Sequence, residues 1–229
     1  MKTCVPWLLA ALLAGCSPQT ALLATAVPDG TMSALLSQTQ RVEDANRRKI
    51  VALEQDRDWP GLARFAEDNL KLDPNTPDWW LVAGYAYTQQ QKYTRAAECY
   101  VEAVRLEPDA SLGWSLLAQS YRASGQLQRA VNTLDKALLA VRDDPQLHWL
   151  MGETQSDLQR WRLAIAAYRD AIGVDEQYLP AWRGLQRAYE RAGRAEEARD
   201  AERTLARLTA EESTQAKQTR KREGKRDER

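Results

Sequence analysis

Residues 77–110, PDWWLVAGYAYTQQQKYTRAAECYVEAVRLEPDA, form the first clear copy of a pattern that recurs along the chain. Later copies begin at Ser111, Pro145 and Leu179, each 34 residues after the last and without a gap. In every copy the fourth, seventh and eleventh positions are at helical spacing, so they share one face of a helix. The pattern therefore predicts repeated pairs of α-helices.

Alanine, glycine and proline occur at particular positions of the repeat, and helix packing and helix termination explain their places. The twentieth position is alanine in all four copies, which lets the second helix of a pair approach the first closely. Gly125 and Gly193 fall where a first helix must stop, and glycine readily adopts the backbone angles of such a stop. Pro77, Pro145 and Pro180 suit the first turn of a helix.

Composition supports a helical fold and excludes several other classes. The 229 residues include 35 alanines but only 13 valines and isoleucines, a balance that favours helix over sheet. The formal net charge is +0, so overall electrostatics predicts no polyanionic partner. Three cysteines and one histidine are too few for a disulfide-stabilised scaffold and make a structural zinc site improbable.

The repeat resembles the tetratricopeptide repeat, a helix–turn–helix unit of the same length. The resemblance implies an all-α superhelix, or α-solenoid, with a concave inner face. It divides the chain into a lipoprotein signal (1–15), a tether (16–30), an N-terminal helix with a degenerate repeat (31–76), three repeats (77–110, 111–144, 145–178), a fourth, capping repeat (179–212) and a disordered basic tail (213–229).

The first residues have the pattern of an export signal. Lys2 precedes the apolar stretch 5–14, which is too short to span a membrane. The sequence then reads Leu-Ala-Gly-Cys at 13–16, which resembles the bacterial lipoprotein signal. That resemblance implies a lipid on Cys16, and the serine that follows it implies the outer membrane, facing the periplasm. An ordinary cleaved signal with a nearby cysteine is the alternative.

The family resemblance also places candidate binding residues on the concave face. In related proteins the second, fifth, ninth, twelfth and thirteenth positions of each first helix line this face. We expect a peptide groove whose exposed apolar and aromatic side chains are flanked by arginines. The groove residues singled out in this way are Leu81, Tyr85, Gln119, Arg122, Trp149, Glu153, Arg183 and Arg187. The alternative is that Trp149 and Leu81 pack against a neighbouring helix.

No motif for catalysis or for a cofactor is found. The sequence lacks phosphate-binding glycine motifs and a nucleophile elbow, and no group of metal ligands stands out. His148 occupies the fourth position of its repeat, which is tryptophan in the other three copies, so a packing role is favoured for its side chain. Cys99 is interpreted as a small packing residue within a helix. We therefore expect no enzyme activity, no cofactor or metal and no small-molecule substrate.

The tail from Ser213 onward carries seven basic and three acidic residues and is almost without apolar side chains. This composition predicts disorder, either as a solubilising end or as a segment that contacts an anionic membrane surface. Nucleic acid would fit such a tail chemically, but the export signal argues against that partner.

Taken together, these features predict a non-enzymatic scaffold anchored by its lipid to the outer membrane. Its partner would be a protein or peptide, and its role would resemble that of lipoproteins that assemble pili or secretion systems, including pilotins. A structural adaptor that organises cell-wall enzymes is the alternative. Both functions rest on analogy of architecture, since no motif names the partner.

Overall fold

The computed structural model describes Met32 and residues 44–227, with side-chain surroundings given as far as residue 214. Within these residues the regular structure is entirely helical, as predicted. The predicted signal, the lipidation site Cys16 and the tether lie outside the described residues. The helices are α1 (Asp44–Gln55), α2 (Trp59–Leu72), α3 (Pro77–Gln89), α4 (Tyr93–Leu106), α5 (Ser111–Ala123), α6 (Leu127–Ala140), α7 (Pro145–Asp157), α8 (Trp161–Val174), α9 (Leu179–Arg191) and α10 (Ala195–Asp227).

The turn inside each helix pair has one recurring backbone feature. The fifteenth position adopts positive φ in all four repeats, with φ of 60° at Gln91, 75° at Gly125, 58° at Gln159 and 72° at Gly193. Arg57 has the same conformation, with φ of 54°, before α2. Only two of these positions are glycine, so the sequence marks the left-handed turn in two of the four repeats.

A second repeated contact ties the first helix to the turn before it in three of the four repeats. The indole Nε1 of Trp80 donates to the carbonyl of Pro74 at 2.9 Å, and Trp114 makes the same bond to Pro108 at 2.8 Å. Trp182 repeats it with Glu176 at 2.8 Å. Each tryptophan therefore fixes the angle at which the chain enters a first helix, in addition to filling space.

The chain divides into two compact units, residues 1–141 and 142–229. In unit 1, consecutive helices from α1 to α6 pack against one another around one apolar core. Tyr100 is fully buried there, and its ring lies over Gly84 so closely that a Cβ on that glycine would be 2.4 Å from a ring carbon. Ala96 and Ala130 of the alanine column are also fully buried.

Unit 2 is built from α7 to α10 in the same manner. Its central side chain is Tyr168, whose ring lies between two glycines of neighbouring helices. A Cβ added to Gly152 or to Gly184 would lie 2.5 Å or 2.4 Å from that ring. Glycine at these two positions is therefore what allows three helices to close around one tyrosine.

The last helix differs from the sequence-based expectation, because α10 continues to Asp227 through the segment from Ser213 that was expected to be disordered. Arg194, the residue before the helix, pairs with Glu197 at 2.6 Å, and Arg207 pairs with Glu211 at 3.0 Å within it. The tail also contains no proline and is rich in lysine, arginine, glutamine and glutamate, which are good helix formers. The low hydropathy of the segment from Ser213 predicted disorder, whereas the helix propensity of its residues favours continuation of α10.

Candidate protein-binding faces

The predicted groove residues come from the first helices of successive repeats, and each unit contributes its own set. We call the unit 1 face the surface formed by Leu81 and Tyr85 of α3 with Ser115, Gln119 and Arg122 of α5. The unit 2 face is formed by Trp149 and Glu153 of α7 with Arg183, Arg187 and Arg191 of α9. Within each helix these residues are spaced by about one turn, so they share a side.

The apolar members of the unit 1 face are buried, contrary to the expectation that they would be exposed. Leu81 is 7% exposed and Tyr85 is 6% exposed. The ring of Tyr85 packs edge-to-face against Trp59 of α2, with centroids 5.9 Å apart, and Leu81 belongs to the core of the unit. The physical reason is that the second helix of the preceding pair supplies an aromatic side chain beside this face.

The carboxylate of Glu54, near the end of α1, also belongs to this neighbourhood. Burial raises the pKa of Tyr85 well above its usual value, and the negative charge of Glu54 raises it further. The phenol therefore stays neutral at physiological pH. Neither Glu54 nor Trp59 was predicted as part of the site, since both precede the clear repeats.

The polar members of the unit 1 face have an unusual arrangement. Gln119 is 2% exposed, yet neither its Nε2 nor its Oε1 has a hydrogen-bond partner in the part of the chain that the structure describes. The hydroxyl of Ser115, one turn earlier on α5, is in the same state. A buried polar group without a partner costs about 1–3 kcal/mol. Because both side chains are almost fully buried, a ligand reaches these polar atoms only if the residues that cover them move.

The unit 2 face combines one buried aromatic side chain with a row of arginines. Trp149 is buried, not exposed as expected, and its ring packs against Tyr178 with centroids 6.4 Å apart. Its indole Nε1 has no hydrogen-bond partner among the described residues. Tyr178 is the N-cap residue of α9, so this packing agrees with the alternative that Trp149 packs against a neighbouring helix.

Glu153 and Arg187 of the unit 2 face contact each other directly. Arg187 Nη2 donates to Glu153 Oε1 at 2.8 Å, and the hydroxyl of Tyr168 donates to the same oxygen at 2.7 Å. Burial raises the pKa of Tyr168, and the charge of Glu153 raises it further, so this hydroxyl remains a donor. Glu153 is therefore a structural acceptor as well as a surface residue.

Arg183 and Arg191 are exposed one turn to either side of Arg187. No carboxylate of the described residues lies within ion-pair distance of these two guanidinium groups. A cleft of about 470 Å³ beside Arg191 is lined by residues of α7, α8 and α9, including Glu153, Tyr168 and Arg187. The exposed guanidinium groups can bind carboxylates in a bidentate manner, so this face suits an acidic segment.

Other chemistry finds little support within residues 44–227. No group of three or more histidine, cysteine or acidic side chains there could hold a metal ion. Burial raises the pKa of the Cys99 thiol to about 12, which keeps it protonated and a poor nucleophile. None of the helices described combines the length and apolar character needed to cross a bilayer.

Family models described as tetratricopeptide repeat match this chain at residues 87–153 in one case and at 62–111 and 150–213 in another. Together the matched segments extend from residue 62 to residue 213, which is more than half of the chain. Among curated proteins, the chain is 22% identical over 133 residues to "Protein bimA" of Emericella nidulans and 24% identical over 133 residues to "Superkiller protein 3" of Schizosaccharomyces pombe. These matches cover 58% and 55% of this chain but only 12% and 10% of those proteins.

Solved structures agree with the predicted fold. A crystal structure of MamA matches with a TM-score of 0.65 and 20% identity, covering 76% of this chain and 99% of that one. YrrB, described as a TPR protein with an unusual peptide-binding site, matches with a TM-score of 0.56 and 14% identity, covering 80% of this chain and 93% of that one. At these identities the likeness concerns the fold, and it confirms the predicted solenoid of helix pairs.

Proposed function

Because this chain belongs to the tetratricopeptide repeat family, we propose that it is a scaffold whose inner faces bind a segment of another protein. The observation that carries this proposal is the pair of exposed arginines on the unit 2 face, Arg183 and Arg191, which have no carboxylate partner among the described residues. A guanidinium group binds a carboxylate in a bidentate manner, so this face suits an acidic segment of another protein.

The unit 2 face defines the chemistry of the partner further. Arg183 and Arg191 are exposed and unpaired among the described residues, and Arg187 is already engaged by Glu153. A partner with acidic side chains or a terminal carboxylate would neutralise the two outer arginines. We therefore expect binding to weaken as salt rises, because exposed charges are screened.

The cellular setting is the finer part of the proposal. The Leu-Ala-Gly-Cys motif ending at Cys16 supports a lipid anchor, and the serine after it supports the periplasmic side of the outer membrane. Several acyl chains on one residue hold a protein to a bilayer far better than one. A scaffold in that place would assist the assembly of an envelope complex such as a pilus or secretion system.

Capture of partners from envelope extracts tests the proposal. The bait is the full chain carrying Cys16→Ser, and captured proteins are quantified by mass spectrometry. Arg183→Glu and Arg191→Glu should each reduce capture of the same partner, whereas Gln128→Ala and Lys136→Glu, at exposed sites on α6, should not. Equal capture by all four variants would reject the unit 2 face as a binding site.

A further inference from the structure

A second cleft of unit 2, of about 660 Å³, lies between α8 and α10. We call it the α8–α10 cleft. Its floor is formed by Trp182, Leu185 and Tyr189 of α9, which share one face of that helix. At about 100° per residue, this face is nearly opposite to the one that carries Arg183 and Arg187. The α8–α10 cleft is therefore separate from the unit 2 face.

The wall that α10 contributes is longer than a second helix of an earlier repeat could provide. The helices α4, α6 and α8 all end at the thirtieth position of their repeats, whereas α10 continues past that position, which is Leu208. Its next turn brings Glu211 and Glu212 beside Gln177, where a cavity of about 110 Å³ extends the cleft. From Glu197 to Glu211 the wall covers about 21 Å, or about four helical turns.

The lining of the α8–α10 cleft is apolar at its centre and is open without any rearrangement. Ile172, Trp182 and Thr204 line the cleft and are only half-buried, so a ligand can reach them. Leu185 and Leu208 lie among them and are buried. Apolar surface that is left partly open to water is stabilised when another apolar surface covers it.

The charged side chains around the cleft are mostly acidic. They are four carboxylates and two arginines, namely Glu176, Glu197, Asp200, Glu211, Arg169 and Arg207. Three of the carboxylates pair with arginines on α10 or just before it. Glu176 is exposed and has no ion pair within the described residues. The uncompensated negative charge therefore lies at the Glu176 end, next to the C-terminus of α8, where the helix dipole also favours a cation.

Glu176 is held beside an aromatic ring. Trp182 Nε1 donates to the backbone carbonyl of Glu176 at 2.8 Å, which keeps the indole next to that residue. An indole beside a carboxylate is a favourable place for a lysine or arginine side chain. The other two tryptophans with this bond donate to Pro74 and Pro108, so those junctions lack the carboxylate.

We propose that the α8–α10 cleft binds an amphipathic helix of another protein, with its apolar side in the cleft and a lysine or arginine at the Glu176 end. Such a helix places side chains at positions i, i+3, i+4 and i+7 into a groove, and about four turns match the α10 wall. The basic tail of this chain, or of a second copy, is not the occupant, because it is almost without apolar side chains and continues α10 as helix to Asp227. The scaffold thereby holds a second protein in addition to the partner of the unit 2 face.

Fluorescence anisotropy with synthetic peptides and the full chain carrying Cys16→Ser tests the proposal. The probe is a fluorescein-labelled amphipathic peptide of 14 residues, with leucines at helical spacing and two lysines at its C-terminal end. One matched peptide has glutamates in place of the lysines, and another keeps the composition but scrambles the leucine spacing. The lysine peptide should bind about tenfold tighter than either of the others. Equal binding of the three peptides, or no binding, would overturn the proposal.

Charge reversal locates the basic end of the bound helix. Glu176→Lys keeps the backbone carbonyl that Trp182 needs, and it should weaken binding of the lysine peptide about fivefold and strengthen that of the glutamate peptide by a similar factor. Glu202→Lys is the matched control, because Glu202 is exposed on α10 beside a different cavity. Equal effects of the two substitutions would contradict the placement of the basic end.

Steric blocking locates the apolar side of the bound helix. Gly173 lines the cleft, and a Cβ added there meets no atom within 4 Å, so Gly173→Trp narrows the cleft without a clash at its own site. It should weaken binding of the lysine peptide about tenfold, whereas Gly173→Ala should not, and circular dichroism compares the helix content of both. Undiminished binding to a folded Gly173→Trp chain would overturn the proposal.

Arg183→Glu separates this inference from the proposed function. It should reduce capture of the acidic partner and leave binding of the lysine peptide unchanged. Loss of peptide binding in this variant would place the peptide on the unit 2 face and overturn the inference. A dimer in sedimentation that Glu176→Lys dissociates would assign the cleft to a second copy of the chain, which would also overturn it.

Discussion

Arg187 and Glu153 occupy the same ninth position in consecutive repeats, and their side chains meet at 2.8 Å between α9 and α7. The side chain of Arg187 is 62% exposed, while that of Glu153 is only 12% exposed and also accepts from Tyr168. The pair therefore links a binding face to the core of unit 2. Its two members should respond differently to substitution.

Glu153→Ala should destabilise unit 2 more than Arg187→Ala. The first removes the charged acceptor of the buried Tyr168 hydroxyl and leaves it only Ser156 Oγ at 3.1 Å, at a cost of about 1–3 kcal/mol. The second removes a solvent-exposed ion pair, which contributes about 0.2–1 kcal/mol. Urea denaturation of the two single variants and the double variant measures this. Equal losses would contradict the assignment of Glu153 as a structural acceptor.

Gly84→Ala should destabilise unit 1 by about 1–3 kcal/mol, because its Cβ would collide with the ring of Tyr100. The second repeat shows the compensating arrangement, since it has Ala118 and Leu134 at the equivalent positions. Adding Tyr100→Leu should therefore restore part of the stability lost in Gly84→Ala. Thermal denaturation by circular dichroism measures all three variants, and additive losses in the double variant would rule out a direct clash.

Gly125→Ala should lower the free energy of unfolding by about 1 kcal/mol, because an alanine at φ of 75° is strained even though no atom lies in its way. Gly173→Ala is the matched control, since it lies in α8, away from positive φ and also with open space around it. This second change should leave stability unchanged or raise it by about 0.5 kcal/mol. Denaturant titration gives both values, and a similar effect from both would contradict the conformational explanation.

Cys99 should resist alkylation in the folded protein at pH 9, where a free cysteine reacts. Its pKa is raised to about 12 by burial, from the usual 9.0. Stability that depends on the neutral thiol is therefore fully present below pH 9 and lost as the pH rises toward 12. Iodoacetamide labelling with Cys4→Ser and Cys16→Ser, in buffer and in urea, measures this. Rapid labelling in buffer would show that the thiol is accessible.

The helix pairs were predictable from the sequence because several positions of the 34-residue repeat keep the same kind of residue from copy to copy. The alanine column and the glycine stops at Gly125 and Gly193 lie where the structure needs close packing and positive φ. Gln91 and Gln159 adopt the same turn without any such signal, since the flanking helices impose it. A local pattern cannot reveal a conformation that its neighbours enforce.

The candidate site was predictable by position but not by environment. Spacing placed Tyr85 and Trp149 on the faces of first helices, but it could not show that Trp59 and Tyr178 would pack against them. Burial of a helix face depends on residues that are distant in sequence. The unpartnered amide of Gln119 is likewise a property of its three-dimensional surroundings.

The central claim is that the inner faces bind another protein, and site-specific photo-crosslinking in cells tests it most directly. A photoreactive amino acid is placed at Arg183 on the unit 2 face, and a matched one at Arg162, an exposed site on α8. The account predicts a discrete adduct with a second protein from position 183 and none from position 162. Adducts that are absent at 183, or equal at both positions, would contradict it.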